Sequence, residues 1–224
     1  MRNWKLVIVF LTFNFIAVNY LFAQKNVSEA TISYKISTES TNDKAAMAKS
    51  LEGATLTVYV KGTQSRTDMV STLGTESNLY DSKSGKGTIL KQYSGQKLMI
   101  TLTAGNWAQK NQFYQNMKFK IDNTEQTIAG LKCKKATGQS PDGNTVVVYF
   151  APDIILSNKE YDNSFVQLPG LPVQYELQTG KLKFKYLLSN VNYDPVPATN
   201  FEIPKTGFRI MTYEETQQLK KGDN

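Results

Sequence analysis

The sequence predicts a mainly β fold: a single curved antiparallel sheet, a half-barrel, with a few short helices over its concave face. Three observations carry that expectation. Apolar and polar residues alternate along at least six segments, glycine-containing turn sequences stand between many of them, and only three stretches have a helical pattern.

The first segment addresses compartment. Residues 1–23 carry Arg2 and Lys5, then an apolar run from Leu6 to Val18, then Ala23, the order of a secretory signal peptide with cleavage expected between Ala23 and Gln24. An uncleaved membrane anchor is the alternative, but Asn14 and Asn19 interrupt the run, which falls short of the roughly 20 residues a span needs. A lipoprotein would need Cys where Gln24 stands. The expected product is exported to the periplasm, the cell envelope or the exterior and is soluble after cleavage. It is a single domain over residues 24–224, since 201 residues are enough for one core.

The mature chain opens with the strand Ala30–Ile36, which places Ala30, Ile32, Tyr34 and Ile36 on one face. Residues 42–52 read as a helix with cap-type residues in front, Met47, Ala48 and Leu51 on one side, and Gly53 at the end. Alternation returns at Leu56, Val58 and Val60, and again at Leu98, Ile100 and Leu102. A short bulky helix is expected over 107–116, with Trp107, Phe113 and Tyr114. Leu131 and Cys133 alternate with lysines, whereas Val146–Phe150 is apolar throughout, as a central strand covered on both sides would be. Two more alternating strands follow, Leu171–Leu177 and Leu182–Leu188. A last helix starts at Thr212, with Glu215 completing a capping box, and runs to about Lys221. Turn chemistry stands at Lys61-Gly62, 84–87, Ser94-Gly95, 141–144 and Thr179-Gly180.

Composition removes several function classes. The chain has no His and one Cys, which excludes Ser-His-Asp and Cys-His catalysis, histidine metal sites, an internal disulfide and a CxxC pair. Without residues 1–23 the balance is 24 basic against 19 acidic side chains, +5, and only Arg66 and Arg209 remain among the arginines. Arg is the better residue for bidentate phosphate or base recognition, so a lysine-borne surplus reads as a solvated face and no nucleic-acid partner is expected. Peripheral contact with an anionic membrane surface is compatible with this charge.

Individual residues carry little catalytic signal. Cys133 points inward beside Leu131, an inert buried thiol with no His to activate it. The run Ser84-Gly85-Lys86-Gly87-Thr88 lacks the glycine spacing and the following helix of a phosphate loop, so a hairpin tip is expected. Asp68, Glu76 and Asp81 lie close in sequence but read as solvated strand and turn residues. No catalytic residue, metal site or cofactor is assigned. An amphipathic sheet of this size either fills its concave side with its own side chains or leaves room for an apolar ligand under the helices.

The segments Gly130–Ala136, Leu168-Pro169-Gly170-Leu171-Pro172-Val173 and Phe201-Glu202-Ile203-Pro204, with the Glu214-Glu215 helix, resemble exported Bacteroidetes proteins of the DUF4412 and GLPGLI families. The resemblance spans most of residues 28–220 and implies a fold similar to the lipoprotein carriers LolA and LolB, which bind acyl chains under a helical lid. Gly170-Leu171-Pro172 suits the start of a strand, since Gly permits close approach and Pro172 has no N–H to donate. The gating arginine of LolA has no assignable equivalent here.

The leading expectation is a non-enzymatic extracytoplasmic protein that binds a hydrophobic or lipid-like ligand in a half-barrel cavity. Its expected apolar lining is Tyr34, Val58, Ile100, Trp107, Phe113, Tyr175, Phe184 and Tyr186. The alternative is an envelope structural or protein-interaction module with a filled core, its partner an envelope protein rather than a lipid.

Overall fold

The computed structural model describes residues 24–40, 45–113, 117–179 and 182–222. The expected signal peptide lies outside them, as do residues 42–44 and 114–116 of two expected helices and Gly180 of an expected turn. In chain order the strands are β1 (Lys25–Val27), β2 (Glu29–Ser40), β3 (Thr55–Lys61), β4 (Gln64–Ser71), β5 (Gly74–Asp81), β6 (Lys86–Tyr93) and β7 (Gln96–Leu102). They continue as β8 (Phe119–Ile128), β9 (Leu131–Gln139), β10 (Thr145–Ala151), β11 (Ile154–Leu156), β12 (Leu171–Thr179), β13 (Leu182–Asn192) and β14 (Arg209–Thr212). The helices are α1 (Ala45–Leu51), α2 (Ala104–Asn111) and α3 (Tyr213–Gly222). Among the described residues strand accounts for 57% and helix for 14%, so the mainly β class is what forms.

Twelve strands make one open, curved sheet in the order β14-β7-β6-β5-β4-β3-β2-β13-β12-β10-β9-β8. Every pairing in it is antiparallel except β14 on β7. Two runs of neighbouring strands in this sheet, β3 to β7 on one side and β12, β10, β9 and β8 on the other, therefore meet only where β2 and β13 pair, from Leu182 opposite Ser40 to Asn192 opposite Thr31, while β1 and β11 pair separately. The Ser94-Gly95 turn joins β6 to β7 with both residues at positive φ, 50° and 79°, the geometry that matches the twist of a two-residue hairpin. The 84–88 run forms the turn between β5 and β6 and the start of β6, as expected of a hairpin tip.

The alternating strands fall in β2, β3, β7, β9, β12 and β13, and Val146–Phe150 falls in β10. β10 is interior by pairing, between β9 and β12, but Val147 and Tyr149 are half-buried, so one of its faces is not fully covered as the apolar run suggested. Among the strands of seven or more residues, four had neither apolar alternation nor an apolar run to mark them: β4, β5, β6 and β8. The second helix starts three residues before Trp107 because Thr103 caps it. Its Oγ1 accepts from the Asn106 backbone N–H at 3.2 Å, and the Thr103 N–H donates to Asn106 Oδ1 at 3.0 Å. That helix ends at Asn111, which leaves Phe113 beyond it. The C-terminal capping box is in place, with Glu215 N–H on Thr212 Oγ1 at 3.2 Å and Thr212 N–H on Glu215 Oε2 at 2.7 Å.

Three apolar clusters hold the sheet. The largest packs β2, β3, β9, β10, β12 and β13 against Phe165 and Leu168 of the 157–170 segment. A second, at the other end of the same face, joins Tyr80, Ile89, Ile100 and Leu102 to Trp107 of α2 and Tyr213 of α3. On the opposite face of β5–β7, Leu79, Leu90 and Met99 pack with Phe208. The inner face thus has two coverings, one at each end. Among the described residues no helix is long and apolar enough to cross a membrane.

Candidate functional site

The two coverings do not meet. Between them lies a cavity of about 350 Å³, floored by Leu56 of β3, Thr67 of β4, Asn78 of β5 and Tyr186 of β13. Trp107, Lys110 and Phe113 wall it on the α2 side, and Tyr161, Asp162 and Ser164 on the other. Strand register explains the floor. Thr67 stands opposite both Val58 and Asn78, and Asn78 opposite Ile89, so these side chains share one face of the sheet.

Stacked aromatic rings hold the walls. Trp107 lies on Tyr80 with centroids 4.3 Å apart and planes 3° from parallel, and the Lys110 ammonium stands 5.2 Å from the indole centroid. Across the cavity Tyr186 stacks on Tyr175 at 4.5 Å, and Phe165 meets Tyr175 edge-on at 4.6 Å. Asp162 caps the short 3-10 turn Asn163–Phe165, its carboxylate accepting from the Ser164 N–H at 3.0 Å. Asp162 keeps some exposed surface yet is closely surrounded by protein. Burial raises its carboxyl above the usual carboxylate range, against opposing pulls from the Ser164 hydrogen bonds and the Lys110 charge. Burial likewise raises the Tyr161 hydroxyl.

The expected lining residues divide into groups. Trp107, Phe113 and Tyr186 line this cavity. Ile100 lines a neighbouring one of about 370 Å³, with Leu98, Met211, Tyr213 and Leu219, and Lys110 borders both. Tyr34, Val58 and Tyr175 are buried in the largest cluster, where the Tyr34 hydroxyl donates to the Pro172 carbonyl at 2.9 Å. Phe184 is half-buried on β13 opposite Thr38. The polar members Thr67, Asn78, Asp162 and Ser164 had no apolar pattern to announce them; the nearest signal was the Asp-Asn-Ser turn at 162–164.

Other candidate chemistry is absorbed by structure. Asp68 pairs with Arg66 at 2.7 Å and Glu76 with Lys91 at 3.0 Å, while Asp81 is held below the usual range, chiefly by a hydrogen bond from Thr63. Among the described residues no group of three potential metal ligands comes together. Cys133 is fully buried, and desolvation raises its thiol.

No family model matches the chain, and no curated protein matches it. Solved structures do. An uncharacterized conserved protein from Thermus thermophilus is similar over 83% of this chain and 90% of its own, at 8% identity and a TM-score of 0.50. PNGF-II is similar over 84% of this chain at 14% identity and a TM-score of 0.46, and this chain spans about a third of that protein, 32%. A LolA superfamily protein, NE2245 from Nitrosomonas europaea, matches over 79% of this chain and 90% of its own at 10% identity and a TM-score of 0.35. At 8% identity the likeness to the Thermus thermophilus protein is one of fold alone.

Proposed function

We propose that residues 1–23 direct export and are removed after Ala23, and that residues 24–224 act as one non-enzymatic domain binding a hydrophobic or lipid-like ligand. The observation that carries this reading is the gap between the two coverings, an aromatic-walled cavity of about 350 Å³ on Trp107, Phe113 and Tyr186. Its volume falls at the lower end of the range for small-ligand sites, about 300–1,000 Å³. Each methylene buried there contributes roughly 0.8 kcal/mol. Among the described residues Asp162 is the one carboxyl on the cavity wall, and the chain has no His to pair with it, which supports binding rather than catalysis. Native mass spectrometry of the exported protein, with displacement of a fluorescent fatty-acid probe, tests the reading. A co-purified or displaceable apolar ligand, weakened by Phe113→Asp, is expected; no bound lipid and no probe binding sinks it.

One observation favours a second reading, an envelope protein-interaction module. Ile210 is 66% exposed on β14, a strand at the end of the sheet, and Leu219 is 57% exposed on the helix that follows. A strand edge with apolar side chains beside it is a template for a partner strand. Ile210→Lys would then abolish partner capture and leave probe binding unchanged.

A further inference from the structure

Two buried polar atoms of the inner face have no hydrogen-bond partner among the described residues, and both belong to residues lining the central cavity: Trp107 Nε1 and Asn78 Oδ1. Trp107 is only 5% exposed. The Asn78 amide is oriented by its nitrogen, which donates to Thr67 Oγ1 at 3.5 Å, so its oxygen is the end left over. One atom is a donor that cannot accept, the other an acceptor that cannot donate. Buried polar atoms are normally paired, and leaving one unpaired costs its desolvation.

Neither atom is open to solvent, so each stays unpaired until a turn of its side chain presents it to an occupant. A bare alkyl chain offers no partner to either and is a poor occupant despite the aromatic walls. A carboxylate head offers only acceptors and leaves the Asn78 oxygen unpaired, whereas an ammonium head offers only donors and leaves the indole N–H unpaired. The charges at the cavity do not favour either ion, because Lys110 and Asp162 line it together and Lys110 acts on the Asp162 carboxyl. A neutral carboxamide carries a carbonyl for the indole and an N–H for the amide oxygen.

Resting on the reading of this cavity as a ligand site, we infer that it selects an amphiphile with a neutral carboxamide head on a short apolar tail, the head held between Trp107 Nε1 and Asn78 Oδ1.

Isothermal titration of the full chain at pH 7 with octanamide, octanoate and octylamine tests this. Octanamide is expected to bind about tenfold or more tighter than either ion, the discrimination typical of a missing partner for a buried polar group. Trp107→Phe, which keeps a ring on Tyr80 but removes the N–H, is expected to bring the preference over octylamine to within about twofold, since the amine lacks only the acceptor for that N–H. Asn78→Leu, close in volume, should do the same to the preference over octanoate by removing the oxygen that the acid leaves unpaired. Octanoate or octylamine binding as tightly as octanamide overturns the inference and leaves the apolar-ligand reading standing. A preference over octylamine that survives Trp107→Phe, or one over octanoate that survives Asn78→Leu, also overturns it. Binding of none of the three removes both the inference and the reading beneath it.

Discussion

The Tyr34 hydroxyl illustrates how a residue marked as apolar lining becomes structural. Strand alternation turns its ring inward, where Tyr175 meets it at 5.8 Å, and the hydroxyl then needs a partner, found 138 residues away in the Pro172 carbonyl. Burial raises its pKa well above the usual range, so the group stays protonated as a donor. Tyr34→Phe keeps the ring and leaves the carbonyl unpaired, at an expected cost of about 1–2 kcal/mol in urea unfolding. Asp162 gives a second prediction at this scale. Its carboxyl is raised in the folded state, so the folded protein binds a proton more tightly than the unfolded chain. That stability is complete below the unfolded pKa and is lost as pH rises through the folded pKa. Asp162→Asn retains an oxygen for the Ser164 N–H and cannot ionise. Its Tm advantage over the parent should therefore grow as pH rises from about 4 and level off once the parent's carboxyl is ionised. An advantage independent of pH, followed by calorimetry, would contradict this account.

Among the elements, what was legible tracks where the apolar surface lies. β2, β3, β12 and β13 alternate clearly because one face packs into the largest cluster, and the terminal helix showed itself through Thr212 and Glu215. β4 and β5 were hidden because their inner positions Ser65, Thr67 and Asn78 are polar; these strands floor the cavity, and the polarity that disguised them is the chemistry of the site. β6 was hidden for the opposite reason, since Thr88, Ile89 and Leu90 are buried in succession between α2 on one side and Phe208 on the other. β8 lies at the other end of the sheet and is exposed along most of its length, with no face to mark it. The Gly170-Leu171-Pro172 step, by contrast, behaves as its residues suggest. A Cβ on Gly170 would lie 2.3 Å from the Ala151 carbonyl oxygen and 2.8 Å from the Phe150 ring. Pro172 falls opposite Phe150, where the β10–β12 register shifts. Gly170→Ala must move backbone, and a loss of about 2–3 kcal/mol in chemical denaturation is expected; a change below about 0.5 kcal/mol would show that the two strands separate freely.

At the scale of the whole molecule the β2–β13 seam decides whether the sheet behaves as one unit. Apart from β14 on β7, the pairings on either side are local hairpins or short connections, but the seam joins residues about 150 positions apart, and strands from both runs contribute to the largest cluster through it. Ile32 sits at this junction, fully buried, opposite Val58 on one flank and Val191 on the other. Ile32→Ala opens a cavity there, at an expected cost of about 3–4 kcal/mol. Trp107 reports on the far end of the sheet, in the cluster with Tyr80 and Ile100, and does not touch the largest cluster's buried set. In the chain of residues 24–224, where Trp107 is the one tryptophan, its fluorescence and the far-UV circular dichroism should fall at one shared midpoint in both the parent and Ile32→Ala, shifted together in the variant. If the seam merely abutted two independent halves, the tryptophan transition would stay where it is in the parent while the circular dichroism split into two steps. Coincidence matters for the site as well, because its floor takes Asn78 from one run of strands and Tyr186 from the strand that closes the seam. A cavity assembled across the junction persists only while both sides remain paired.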